Sequence, residues 1–169
     1  MLNVKEILEE NLLVLDNAKG KPAQVGYDLS IKSVKILLGN GSVLKDKTNV
    51  NRLQVFEPSK MKLEDGKEYT GWFLRQGTYD ITMNEGCNIP ANRTAMVRQR
   101  SSLLRNGAII ASSIFDPGFK TNNIGTVMIV TKPFFIEQDA RVAQMYFHEN
   151  NDAEEYDGQF QDDKQRDKE

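Results

Sequence analysis

In the stretch "RQRSSLLRNG", residues 98–107, Arg100 and Arg105 flank Ser101 and Ser102. A guanidinium is a planar fork of donors that matches the oxygens of a phosphate. Serine hydroxyls and backbone N–H groups can complete a cradle for a chain of oxyanions. The plain alternative is that Arg98, Arg100 and Arg105 are exposed strand and turn residues that hold nothing. Beyond the apolar run that follows, Asp116 opens the turn "DPGF". A carboxylate aimed out of a turn is a candidate functional group, although Asp at the first position and Pro at the second are also good turn chemistry in their own right. The chain has one cysteine, Cys87, and one histidine, His148, which excludes a disulfide framework and a Cys/His zinc site. A Cys–His nucleophilic pair survives counting, but the sequence around Cys87 lacks the electropositive setting a thiolate needs. His148 reads as a surface or strand-end residue.

The elements that must position these groups follow from the hydrophobic pattern. Val4, Ile7, Leu8, Leu12 and Leu13 share one helical face with acids early in the segment, which predicts a short amphipathic helix over residues 4–13. From Val25 onward, short apolar or alternating stretches are punctuated by "GNGS", "EDGKE", "RQGTYD" and "KTNNIG". Turn signals at roughly 8 to 12 residue spacing, with β-branched and aromatic residues between them, predict an all-β sandwich, jelly roll or barrel. The 169 residues suffice for one domain with a real core. After residue 148 the chain becomes strongly acidic and almost free of aliphatic residues, so residues 149–169 read as a flexible arm on a 1–148 domain. That arm still carries Tyr156, Gln159, Phe160 and Gln161, so it is either an inert charged tail or a segment that orders over a ligand.

A net charge of −2 gives no global basic field, which argues against a protein that coats nucleic acid. No apolar run approaches the roughly 18 residues of a membrane span, and the acids of "MLNVKEILEENLLVL" do not fit a signal peptide. The expected location is the cytoplasm.

Four segments, taken in order, carry a family resemblance. "AQVGYDLSI" (23–31), "RSSLLRNG" (100–107), "FDPGF" (115–119) and "ARVAQMYF" (140–147) resemble the first four motifs of the superfamily of dUTP pyrophosphatases and zinc-free dCTP deaminases. Residues 73–107, and the entry "KPAQVGYDL" after the first helix, look closest to the deaminase-like branch. The resemblance implies a distorted β jelly roll with a short N-terminal helix, and a homotrimer whose sites lie between subunits. It also implies that Arg100, Ser101, Ser102 and Arg105 hold a deoxynucleoside triphosphate. Asp116 would face the deoxyribose 3′-hydroxyl and orient an attacking water. Phe119 would stand where pyrophosphatases pack a tyrosine on the sugar, Gln144 would contact phosphate, and Asp28 would help hold Mg²⁺ through water. "EEYDGQFQ" resembles the branch's tail motif, placing Tyr156 and Gln161 on its tyrosine and glutamine. Gln159 stands in place of its lysine and Phe160 in place of its second tyrosine.

The two activities of the superfamily need different residues. Hydrolysing dUTP to dUMP and pyrophosphate takes an in-line water at the α-phosphorus, charge neutralisation by Mg²⁺ and cationic side chains, and a carboxylate to orient the water. Zinc-free deamination of dCTP takes a glutamate on the strand after the Asp-Pro-Gly turn, and "IGTVMIVTK" has no acid. The next glutamate is Glu137, beyond Pro133, and the zinc route lacks its ligands. The expectation is a dUTP pyrophosphatase on a deaminase-like chain. The alternatives are a dCTP deaminase whose acid is displaced across "KTNN", and a relative that binds a nucleotide or partner without catalysis.

Overall fold

The computed structural model describes residues 1–150, 154, 156–158 and 161. The strand Tyr27–Leu38 is the hub of the fold. Its first half pairs antiparallel with Arg141–Glu149 and Lys21–Pro22, and its second half with Gly77–Met83 and Arg52–Phe56. The register slips between Ile31 and Ser33. An irregularity of that kind bends a strand and raises its twist, so the hub passes from one layer of the curled sheet into the other.

The main sheet has nine strands. Its path runs Ala108–Ile110, Gly125–Val130, Gly77–Met83, Tyr27–Leu38, Arg141–Glu149, Arg93–Gln99, Ser113–Phe115. The two ends of that path are consecutive in sequence, joined through Ala111 and Ser112. Ala111 N donates to Val127 O at 2.8 Å on one side, and Ser112 Oγ to Val97 O at 3.3 Å on the other. The sheet thus curls until its edges meet, and the fold is the expected distorted β jelly roll. Its interior is filled by Leu29, Ile31, Ile81, Met83, Met145 and Phe147, all wholly buried, each worth about 1.5–3 kcal/mol if otherwise exposed. Smaller sheets flank it: Leu13–Val14, Gly86–Asn88 and Lys120–Thr121 form one, and Ser59–Lys62, Glu68–Leu74 and Phe134–Glu137 another.

The N-terminal helix is shorter than the periodicity predicts, running Val4–Glu9. Asn3 starts it with a capping box, its Oδ1 accepting from Lys5 N and Glu6 N while Glu6 Oε2 accepts from Asn3 N. Asn11, at φ 53°, turns the chain out of the helix. Leu13 then enters a strand opposite Cys87, and Leu12 is buried just before it. Both leucines face the core, but Leu13 does so from a strand, so the spacing overran the helix. A second short helix, Ser101–Arg105, was not foreseen.

Candidate active site

The strand order brings one group of candidate residues together. Arg93–Gln99 lies beside Arg141–Glu149 with Arg98 opposite Gln144, and Gln144 lies opposite Asp28 of the hub strand. Arg100 extends the ladder by one bond, its N donating to Val142 O at 2.9 Å. The chain then turns into Ser101–Arg105, where Leu103 is buried and pins the helix. No side chain caps that helix at Arg100.

Asp28 sits at the centre of this group with its side chain 6% exposed. Its Oδ2 accepts from Arg141 Nη1 at 2.8 Å and lies 3.5 Å from Arg100 Nε. Its Oδ1 accepts from Gln144 Nε2 at 3.4 Å. A buried carboxylate is tolerable only when paired and hydrogen-bonded, and two guanidinium groups do this. Two positive charges against one negative leave a net positive site at the sheet's surface, suited to an anion. Arg141 was missed by the sequence reading, although it stands in the quoted "ARVAQMYF". Ser101 and Ser102 are exposed directly after Arg100. Arg105 is exposed at the far end of the helix, about 6 Å further along its axis.

Asp28, expected to help hold magnesium through water, is engaged here in ion pairs. Its oxygens are directed at two guanidinium groups and an amide, and a further cation would meet the charge of Arg100 and Arg141 first. Among the described residues no three of His, Cys, Asp and Glu cluster so as to hold a metal.

The second group surrounds a cavity of about 750 Å³. Asp116, Phe119 and Tyr156 line one side. The turn that carries Asp116 closes through Phe119 N to Asp116 O at 3.2 Å, with Gly118 at φ 81°, the left-handed position after a proline that favours glycine. Gly118 N and Phe119 O both bond to Ile89, at 2.8 and 2.9 Å, so the turn is fastened while the Asp116 side chain stays exposed. Phe119 packs on Phe115 at 5.5 Å and edge-on to Tyr156 at 5.4 Å. Tyr156 N donates to Pro117 O at 2.7 Å. Gln161 Nε2 donates to Gly118 O at 2.8 Å and its Oε1 accepts from Lys120 N at 3.1 Å. Two residues of the acidic arm therefore rest on this turn. Gln159 and Phe160 lie outside the described residues.

Opposite the turn, the strand Gly125–Val130 gives the cavity Gly125, Thr126 and Val127, none of them acidic. An acid does arrive from the neighbouring strand. Asp80 is the ladder partner of both Val127 and Lys35, and all three line the cavity. Of the extra residues "KTNN", only Thr121 reaches the cavity. Asn123 is turned away, its Nδ2 donating to Met83 O and Asn84 O at 3.0 and 3.1 Å. Cys87 is wholly buried, and His148 packs edge-on to Tyr146.

The two groups do not meet within one chain. Ala95 pairs with Phe115, and one further step in that register puts Asp116 opposite Thr94, six residues from Arg100. Six extended residues span about 20 Å, and no residue of the Asp28 cluster lines the cavity.

The comparisons with known proteins agree with this architecture. Residues 3–150 match the family model described as dCTP deaminase-like. The chain is 32% identical to the probable deoxyuridine 5′-triphosphate nucleotidohydrolase of Methanosarcina mazei, over 94% of this chain and 92% of that protein. It is 30% identical to the deoxyuridine 5′-triphosphate nucleotidohydrolase of Methanocaldococcus jannaschii, over 77% and 80%. Among solved structures, the EIAV dUTPase aligns with a TM-score of 0.51 at 14% identity, over 87% of this chain and 96% of that one. The 2′-deoxycytidine 5′-triphosphate deaminase of Agrobacterium tumefaciens aligns with a TM-score of 0.55 at 14% identity, over 85% of this chain, which spans 45% of the deaminase chain.

Proposed function

The chain belongs to the dCTP deaminase-like family, and from that membership we propose that it hydrolyses dUTP to dUMP and pyrophosphate. The observation that carries the choice is the cavity wall: Asp116 is exposed at its rim, while Gly125–Val130 offers no carboxylate. Relatives that match most of the chain carry the name of the same hydrolase. Asp116 orients a water in line with the α-phosphorus and takes its proton. The water oxygen bonds to that phosphorus as the bond to the bridging oxygen breaks, and pyrophosphate leaves. Arg100 and Arg141, aimed by Asp28 and joined by Gln144, Ser101, Ser102 and Arg105, take up the phosphate charge.

When bound, Mg²⁺ would neutralise triphosphate charge, with Asp28 read as the residue that helps hold it through water. Residues 149–169 are read as an arm that closes over the nucleotide, through Tyr156, Gln159, Phe160 and Gln161. The protein is placed in the cytoplasm, acting on a small molecule with no nucleic-acid partner.

A second reading, deamination of dCTP, has one observation in its favour, the presence of Asp80 beside Val127 in the cavity. Incubation with dUTP and with dCTP, each with and without Mg²⁺, decides the matter. Pyrophosphate from dUTP without ammonia from dCTP is the expected result. Ammonia from dCTP favours Asp80 as the working acid, and neither product would make the chain a binding relative that does not catalyse.

Because Asp116 and Arg100 are about 20 Å apart along one chain, a second subunit is read as completing the site, and the family resemblance implies a trimer. Ile109 and Ile129, paired across two strands, and Ile114 are exposed apolar surface available to such an interface. Sedimentation at micromolar concentration is expected to give three times the 19.2 kDa of one chain. A monomer that hydrolyses dUTP at full rate would rule the divided site out.

Phe119 is the expected gate against ribose. Wedged between Phe115 and Tyr156, its ring is held where a sugar above Asp116 would press on it. Phe119→Ala should narrow the preference for dUTP over UTP more than it slows dUTP itself. An unchanged ratio of the two kcat/KM values would mean that the ring is only core.

A further inference from the structure

Glu85 takes no part in the chemistry above, yet it is wholly buried. Its Oε1 accepts from Lys19 N at 3.0 Å, Gly20 N at 2.7 Å and Ser30 Oγ at 2.8 Å, and its Oε2 from Ser30 N at 2.8 Å. Every partner donates, so the place suits a group that only accepts, which is an ionised carboxylate.

The four bonds grip the chain on both sides of Asp28. Ser30 follows Asp28 by two positions on the hub strand and is the ladder partner of Arg141. Gly20 precedes the strand Lys21–Pro22, in which Lys21 pairs with Asp28. Gly20 lies so close that an added Cβ would stand 1.8 Å from Asp28 O and 2.9 Å from Glu85 Oε1. The backbone of Glu85 faces another way, its O accepting from Ile124 N at 2.8 Å and so holding the hairpin that carries Gly125 and Val127 into the cavity.

We infer that Glu85 is a positioning residue for anion binding: its carboxylate sets Asp28, and through Asp28 the Arg100, Arg141 and Gln144 side chains, while its backbone holds the cavity hairpin independently. The inference rests on the functional reading in one respect, that the anion is a phosphate chain.

Glu85→Gln separates the two tasks. The amide would point a donor at donors, while the backbone bond to Ile124 stays. With folding checked by circular dichroism, KM for dUTP and Kd for inorganic pyrophosphate should rise about tenfold or more, while Kd for 2′-deoxyuridine stays within about twofold. A general loosening of the fold would weaken both ligands alike, and that result, or an unchanged pyrophosphate constant, overturns the inference. If Glu85→Gln fails to fold, Ser30→Ala removes one of the four bonds, and it must shift pyrophosphate and not deoxyuridine in the same sense for the inference to stand. Wild-type protein that binds pyrophosphate but releases none from dUTP would sink the functional reading and leave this comparison of ligands decisive.

Discussion

Asp116→Asn should lower turnover of dUTP by about 100-fold or more, the scale of losing a general base, with the fold and KM nearly unchanged. The asparagine has the shape of the aspartate and can still orient a water, but it cannot accept a proton. The turn itself does not depend on the side chain. It is closed by backbone bonds from Phe119 N to Asp116 O and between Gly118, Phe119 and Ile89, with Pro117 and the left-handed Gly118 setting its shape. Asp116 is exposed, so removing its charge leaves no buried group unsatisfied. The loss should therefore fall on kcat, the sign of an interaction made in the transition state. Steady-state kinetics decide the point, and near wild-type hydrolysis in the mutant would take Asp116 out of the mechanism.

Asp28→Asn should damage binding and stability together. The carboxylate that holds Arg141 at 2.8 Å and Arg100 at 3.5 Å becomes neutral, and two guanidinium groups are left side by side. Breaking a fully buried pair costs about 3–5 kcal/mol, and with the arginine side chains here 30% and 34% exposed a loss of about 2–3 kcal/mol is expected after solvent screening. Arg100 and Arg141 then lose their aim at phosphate, and KM for dUTP should rise about tenfold or more. The same mutant tests the magnesium role. A residue that carried the metal would shift the Mg²⁺ concentration needed for activity and leave the melting temperature alone. The ion-pair role predicts a lower melting temperature and an unchanged Mg²⁺ requirement.

The parts of this site that were legible in the sequence are those that local chemistry writes in order. Asp-Pro-Gly marks its own turn, and Arg-Ser-Ser stands out as a pair of hydroxyls between arginines. What was not legible depends on pairing across the sheet. Asp80 reaches the cavity only because its strand lies between those of Lys35 and Val127. Arg141 lay in a motif already quoted, but its value comes from facing Asp28 across a ladder that joins residues more than a hundred apart in sequence. Glu85, in "NEGCNIP", looks like an acid in a turn, and nothing local reveals that four donors close over it. The helix Ser101–Arg105 is too short for a hydrophobic period to form. The first helix failed in the opposite way, because the leucines after it kept a helical spacing in extended chain.

The closing of the main sheet upon itself also governs how the molecule comes to exist. Its hub, Tyr27–Leu38, is synthesised well before the strand that completes its first half, Arg141–Glu149, which follows it in the chain by about a hundred residues. Until then the hub and Arg93–Gln99 present unpaired edges, the surfaces through which nascent β proteins associate wrongly. Loop closure over so long a separation makes folding slow, so the yield of folded protein depends on keeping chains apart until Arg141–Glu149 arrives.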